Sequence, residues 1–202
     1  LDKDFRIKCI KNFFYDSALI VESDNTRIFN LNDCLFHDKS EIRNFQKKYG
    51  TCDILFTQFS YAAWKGGKDN TQWRIDAANE KIESIKNQSI LLKAKITIPF
   101  ASFIKFSNKN NNYLNDHSNT PDSVVSQLKN ENFNLVFFRP YEEQSINNLK
   151  QKNESLIFWK EEYNKSKNYE LIIYKKNFTL EKLNGSFKNY RKRIFKKNSY
   201  IL

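Results

Sequence analysis

Between Asp16 and Trp64 the chain carries three short apolar runs, each too short for a stable helix and each bounded by turn-forming residues. Residues 18–21 and 27–31 flank Ser23-Asp24-Asn25 and read as a hairpin. Residues 53–59 form the third run, preceded by Gly50. The second run ends in Asn30-Leu31-Asn32-Asp33-Cys34. A strand that stops in a carboxylate flanked by amides and a thiol is a place where chemistry is built, because the strand fixes the backbone and its carboxyl end opens into a crevice. The plain alternative is that Asp33 caps the next helix or opens a turn.

Residues 71–92 give the clearest helical period. Ala78, Ile82 and Ile85 fall at i, i+4 and i+7, and Leu92 lies a heptad beyond Ile85. Residues 95–99 then read as a strand, which makes a strand–helix–strand unit with a right-handed crossover. Upstream, residues 5–14 are aromatic and β-branched enough for a strand. Residues 40–49 read as a helix capped by Ser40, with Ile42 and Phe45 on one side. Thr120-Pro121-Asp122 opens another helix, with Pro121 at its first position, and residues 134–138 form a buried type of strand. Beyond Tyr141 the chain is more charged. A helix is expected over 154–164 and a strand over 169–174. Residues 188–197 form a basic run with interleaved aromatics, either a solvated helix face or a phosphate contact.

Two loops carry polar groups of interest. Trp64-Lys65-Gly66-Gly67-Lys68-Asp69-Asn70 is either a plain turn or a place where backbone amides approach an anion. It has the spacing of neither a P-loop nor a dinucleotide fingerprint. Residues 106–116, rich in Asn, read as a surface loop or as the polar wall of a pocket.

The 202 residues, 40% hydrophobic and 15% aromatic, suffice for a domain with a core. The mean hydropathy of −0.72 reflects Lys and Asn rather than disorder. Three Cys without metal-type pairing, and no secretory leader, point to reduced thiols and a cytoplasmic location. No run approaches the roughly 18 apolar residues of a membrane span. The net charge of +11 fits a solvated lysine surface, or an anionic ligand such as a nucleotide or acidic sugar. Nucleic acid is not an expected partner, because no RRM, KH or zinc-finger signature is present.

Six strings in order resemble one branch of the metallo-β-lactamase fold. They are DSALIVE (16–22), FNLNDC (29–34), DILFTQFSYAAW (53–64), WRIDAANEKI (73–82), IPFASF (98–103) and FSNKNNNYLND (106–116). The branch includes the large domain of CMP-N-acetylneuraminate hydroxylase and bacterial relatives found with cell-surface polysaccharide genes. The resemblance covers roughly residues 15–140 and implies an α/β fold, the C-terminal half of an αββα sandwich. Residues 1–140 would be that part of the domain, and 141–202 a basic α/β extension.

The resemblance implies that Asp33 matches the metal ligand at the end of a mid-chain strand, with Asn32 and Cys34 as its neighbours. Asn32, Lys65, Asn108, Asn110 and Asn115 would line the substrate side. The sequence departs from the family pattern in its histidines. It holds only His37 and His117, has no His-x-His-x-Asp-His, and places Ala101 or Asn108 where a later His is found. The chain also starts at Leu1 and contains no Met. The expectation is therefore a half of a metallo-hydrolase-like enzyme acting on an anionic nucleotide-sugar or surface-glycan precursor. Its divalent metal (zinc, iron or manganese) would be held only in an intact protein, completed by an N-terminal half or a complementary chain. No metal is expected in this chain alone, and no catalytic residue is assigned. The alternative is a catalytically inert, metal-free scaffold or interaction domain with a basic surface.

Overall fold

The expected hairpin is part of a six-stranded sheet ordered β1 to β6 along the chain. The structure, a computed structural model, describes residues 5–12, 16–23, 26–34, 36, 38–173 and 178–197. Strands β1 (Arg6–Asn12), β2 (Asp16–Ser23) and β3 (Thr26–Asn30) pair antiparallel. Asp24 and Asn25 of the expected turn lie outside the described residues. From β3 onward every step is parallel, because a helix returns the chain each time. The order is α1 (Lys39–Tyr49), β4 (Ile54–Gln58), α2 (Thr71–Leu91), β5 (Ile96–Ala101), α3 (Pro121–Leu128) and β6 (Asn134–Leu135). The protein is thus α/β with a mixed sheet.

Alternation along the strands sorts their side chains into two faces. One face carries the cross-strand row Ile20, Phe29, Leu55, Thr97. It buries Ile42 and Phe45 of α1 among Phe29, Leu31 and Leu55. Farther along, Ile82 and Ile85 of α2 pack with Val124 and Leu128 of α3 and with Phe59 and Phe137. The buried hydroxyls here are paired across the layers: Thr57 Oγ1 donates to Gln88 Oε1 (2.6 Å), and Ser89 Oγ meets Thr97 Oγ1 (2.7 Å). The expected stripe of α2 is therefore the stripe that meets β4 and β5.

The other face carries Ile7, Val21, Ile28, Ile54 and Ile96 in register across five strands. Cys9, Leu19, Asn30, Phe56 and Ile98 form the next row. Its cluster of Ile54, Ile98 and Val136 includes no helix residue and is flanked by Phe138 and Leu149. At the β1 end Ile7 is 59% exposed and Cys9 is exposed. Sheets with parallel strands are ordinarily covered on both faces. Here, among the described residues of the unit that carries the sheet, the α-helices cover one.

Local signals differ from expectation in two places, the cap of α1 and the length of β6. Asp38, not Ser40, caps α1: its Oδ1 accepts from the amides of Ser40 (2.7 Å) and Glu41 (2.9 Å). Thr120 caps α3 in a reciprocal box with Ser123, and Pro121 follows it as expected. The strand expected over 134–138 is only two residues long. Val136 N still reaches Thr97 O (3.0 Å), but Phe137 N turns to the side chain of Gln151 (2.7 Å).

One compact unit extends to residue 170. Helix α4 (Asn153–Lys167) belongs to it, because Trp159 stacks on Phe103 at 3.7 Å and donates to Phe138 O. No strand appears among described residues 169–173, and Tyr174 lies outside them. The second unit, residues 171–202, contains α5 (Leu180–Lys197).

The entry to α4 is held by a carboxylate. Glu142, its side chain 2% exposed, accepts from the Ser155 hydroxyl, the Arg139 amide (3.1 Å), Gln144 (2.7 Å) and the Lys152 ammonium (3.2 Å). Burial pushes this carboxyl up, but those four donors outweigh it and hold it at about 2. A carboxyl held low in the folded state stabilises the fold above its unfolded value and loses that contribution as pH falls toward the folded one. Between pH ~4.5 and ~2 the wild type should lose up to about 3 kcal/mol through this group. Glu142→Gln should be less stable at pH 7 and show a shallower acid slope in denaturant titrations. An unchanged slope would mean that the carboxylate is not bound this way.

Ile82→Ala removes a 6% exposed side chain from the α2–sheet interface. The expected cost is roughly 2–5 kcal/mol by chemical denaturation. A cost under about 0.5 kcal/mol, usual for surface positions, would place the stripe on the wrong face.

Candidate functional site at the carboxyl edge of the sheet

Because β3, β4 and β5 run parallel, their carboxyl ends share one edge. There Leu31 N reaches Phe56 O (2.9 Å), Phe59 N reaches Ala101 O (3.2 Å), and the Ser102 hydroxyl donates to Ser60 O (2.7 Å). FNLNDC, the segment after β4 and IPFASF are thereby gathered on one edge. With β4 between them, Asp33 and residues 99–103 are separated by about 10 Å in the sheet direction.

Asp33 lies in a tight turn past the end of β3. Cys34 N bonds back to Leu31 O (2.8 Å), and Asn32 takes a positive φ of 50°. Asn32 Nδ2 donates to Asp33 Oδ1 (2.8 Å), and Asn32 N donates to Asn30 Oδ1 (3.0 Å). Asp33 is exposed, whereas Cys34 is buried in the core beneath it. The helix-cap alternative for Asp33 is met by Asp38 instead, and the turn alternative is realised. Lys81 from α2 lies within electrostatic range of Asp33 and of Lys65 in the loop after β4. Lys81 is half-buried, and its ammonium is lowered chiefly by burial and further by the charge of Lys65, with Glu80 and Asp33 opposing. A narrow cleft of about 10 Å³, room for roughly one water, runs beside it between Cys34, Thr57, Gln58, Lys81 and Ser84.

The Gly66-Gly67 loop is closed on itself. Gly66 has φ of 80°, and a Cβ there would meet Asn70 Cβ at 2.5 Å. Gly67 N donates to Asn70 Oδ1 (2.8 Å), which occupies the amide that an anion would need. Arg74 locks the loop from below. It is 1% exposed and donates to Gly67 O (2.7 Å), Lys68 O (2.9 Å) and, in a forked pair, the Asp116 carboxylate (2.8 Å from both Nε and Nη2). Tyr113 stacks on the guanidinium and donates to Gly66 O (2.9 Å).

The Asn-rich segment is mostly engaged with itself. Asn115 Oδ1 accepts from Phe106 N, and its Nδ2 donates to Phe106 O and Asn112 O. Asn108 Oδ1 accepts from Asn110 N (2.8 Å), and Asn110 is exposed. Asn115 also borders a cavity of about 320 Å³ with Lys105, Asp116, Thr120, Trp159 and Tyr163. The edge thus holds two recesses, one lined by Cys34 and Lys81 and one by Asn115.

A divalent metal needs three or four protein ligands. Among the described residues no group of three His, Cys, Asp or Glu converges. Asp33 offers one carboxylate. Ala101 is the last residue of β5 and Asn108 is spent on its own turn. His117 lies 4.0 Å from Asp116, and His37 is outside the described residues. The described residues therefore do not make a complete metal site by themselves.

Sequence reasoning did not single out Arg74, Lys81 or Asn119. Asn119 is buried and donates to both Phe59 O (2.9 Å) and Ala78 O (2.8 Å). Arg74 did carry a signal: it sits one turn before Ala78 on the apolar stripe of α2, where a charge requires a partner. No protein-family model and no curated protein sequence matches the chain.

Arg74→Lys should lower the melting temperature by about 10 °C, because an ammonium cannot reproduce the fork and both carbonyl bonds. Limited trypsin digestion should then cleave first after Lys65 or Lys68. Resistance equal to wild type would show that the loop does not depend on Arg74.

Proposed function

We propose that this chain is one half of an αββα metallo-β-lactamase-like enzyme, and that Asp33 is its contribution to a divalent metal centre completed by other residues. The observation that carries the reading is the exposed Asp33 carboxylate at the shared carboxyl edge of three parallel strands, with Lys81 of α2 within electrostatic range of it. Crevices outside such strand ends are where open α/β sheets bind ligands. The β1–β3 part of the helix-free row, Ile7, Val21 and Ile28, gives a second sheet, from an N-terminal half or a complementary chain, an apolar surface to cover.

The substrate class is an anionic nucleotide-sugar or surface-glycan precursor in cytoplasmic polysaccharide biosynthesis. The resemblance suggests it, and Lys81, within electrostatic range of Asp33, suits a negatively charged ligand. Zinc, iron or manganese, when bound, would supply Lewis acidity. Asn32 orients the Asp33 carboxylate, and Lys65, with Asn108, Asn110 and Asn115 farther along the edge, faces the substrate side. No helix among the described residues is long and apolar enough to cross a membrane.

A second reading is a metal-free scaffold. It is favoured by the absence of a three-ligand group among the described residues and by the internal bonding of Asn115. Elemental analysis of the protein isolated with its natural partner separates the two. The enzyme reading expects stoichiometric metal that is lost in Asp33→Asn with the melting curve of this half preserved. Metal retained at full occupancy in that variant, or none in the wild-type assembly, would overturn it.

A further inference from the structure

Helix α5 has no part in the edge site, yet it has the strongest pattern in the second half of the chain. Leu180, Leu183, Phe187, Tyr190 and Ile194 recur at spacings of three and four, and Phe195 widens the stripe. At about 100° per residue these six side chains cover an arc of about 140°. Five of the six are exposed, Leu180 75%, Phe187 63% and Tyr190 58% among them, and Ile194 is half-buried. The rest of the helix is cationic. Lys182, Lys188, Arg191, Lys192, Arg193, Lys196 and Lys197 stand against the single acid Glu181. Lys188 and Lys197 border the two sides of the apolar arc. Arg191 lies within it, with its guanidinium 5.3 Å from the centre of the Phe195 ring. A long cationic side chain there can cover apolar surface while its head reaches a polar layer.

We propose that α5 is a membrane-surface helix that lies in the headgroup region of an anionic lipid bilayer, its apolar arc toward the acyl chains. Helices of this kind set Phe, Leu and Ile on one side and cations on the other, and are too polar as a whole to enter the hydrocarbon core. Charge decides against the competing occupants. A zipper with a second copy would use the three-four seam, but the flanking positions bring Arg191 and Arg193 together with no acid to pair them, and the next seam position is Lys197. Phe195 would lie outside that seam. Nucleic acid would engage the cations and leave six apolar side chains in water. An anionic bilayer satisfies both faces at once. The helix lies on the membrane and does not span it, and the proposal is independent of the metal-centre reading.

The test is vesicle flotation with the full chain. The probes are phosphatidylcholine vesicles with and without about 30% phosphatidylglycerol. Wild type should partition at least tenfold more strongly to the anionic vesicles, and the difference should shrink as salt rises to about 0.5 M. Leu183→Gln with Phe187→Gln should reduce binding at least tenfold. Lys188→Gln with Lys197→Gln should reduce it about 30-fold, at roughly a factor of five per cation. These positions are exposed, so the thermal unfolding of the main unit should be unchanged in both variants. Equal partition to neutral and anionic vesicles overturns the proposal. So does anionic binding that the apolar pair leaves intact, which would indicate a purely polybasic contact. A stable dimer in sedimentation, abolished by the apolar pair and without vesicle binding, overturns it in favour of self-association.

Discussion

The Arg74 guanidinium is the interaction on which the carboxyl edge depends. It is a full charge inside the fold, and such a charge persists only when every donor direction is met. Here the partners come from three segments. Asp116 ends the Asn-rich segment, Gly67 and Lys68 belong to the loop after β4, and Thr71 opens α2. A single side chain therefore fixes where the loops after β4 and β5 sit relative to each other and to the helix between them. Asn119 repeats the device deeper in, bonding a carbonyl at the end of β4 to one in α2. The edge is rigid because buried polar groups hold it. That rigidity is what a strand-end site requires if a carboxylate such as Asp33 is to be presented in one place.

The same sheet makes opposite demands on its two faces. Toward the helices the row Ile20, Phe29, Leu55, Thr97 ends in hydroxyls that pair with α2, so even the polar positions are satisfied. Away from them the row Ile7, Val21, Ile28, Ile54, Ile96 is uniformly β-branched and apolar. A sheet face selected for contact with water would alternate in the other sense. The segment from Phe138 to Leu149 flanks only the cluster at the β5–β6 end. The apolar character of the β1–β3 end is explained if something packs on it. That is the physical content of the half-sandwich reading, and it stands apart from any statement about the metal.

What the sequence made legible follows from how far each interaction reaches along the chain. Helix α2 and its buried Ala78, Ile82 and Ile85 were readable because periodicity is local. So was the Pro121 start of α3. The cap of α1 was misplaced by two residues because Asp38 and Ser40 are both cap formers, and only the backbone geometry chooses between them. The Glu142 cage was not readable, since its donors span residues 139 to 155 and none is diagnostic alone. The role of Asn115 as the clasp of its own loop was not readable either, because its three short-range bonds depend on how the loop closes. Asp33 was placed correctly at a strand end because the run before it is a strand and the turn residues around it allow nothing longer.

The net charge of +11 invited a reading in terms of one acidic partner, yet the charge is unevenly spread. Helix α5 carries seven cations against one acid, so a net +6 of the total lies in 18 residues of the second unit. The remaining excess is spread over far more chain, and part of it is neutralised locally, as in Lys95 with Asp53 and Lys86 with Glu131. The pI therefore says little about the cleft lined by Lys81, where that cation is opposed by Glu80 and Asp33. It says much more about α5, where no comparable set of acids is present and the apolar residues gather on one side. A basic composition that would ordinarily be assigned to a solvated surface becomes specific once it is resolved onto one helix. The partner it selects must be anionic and must also accept an apolar face.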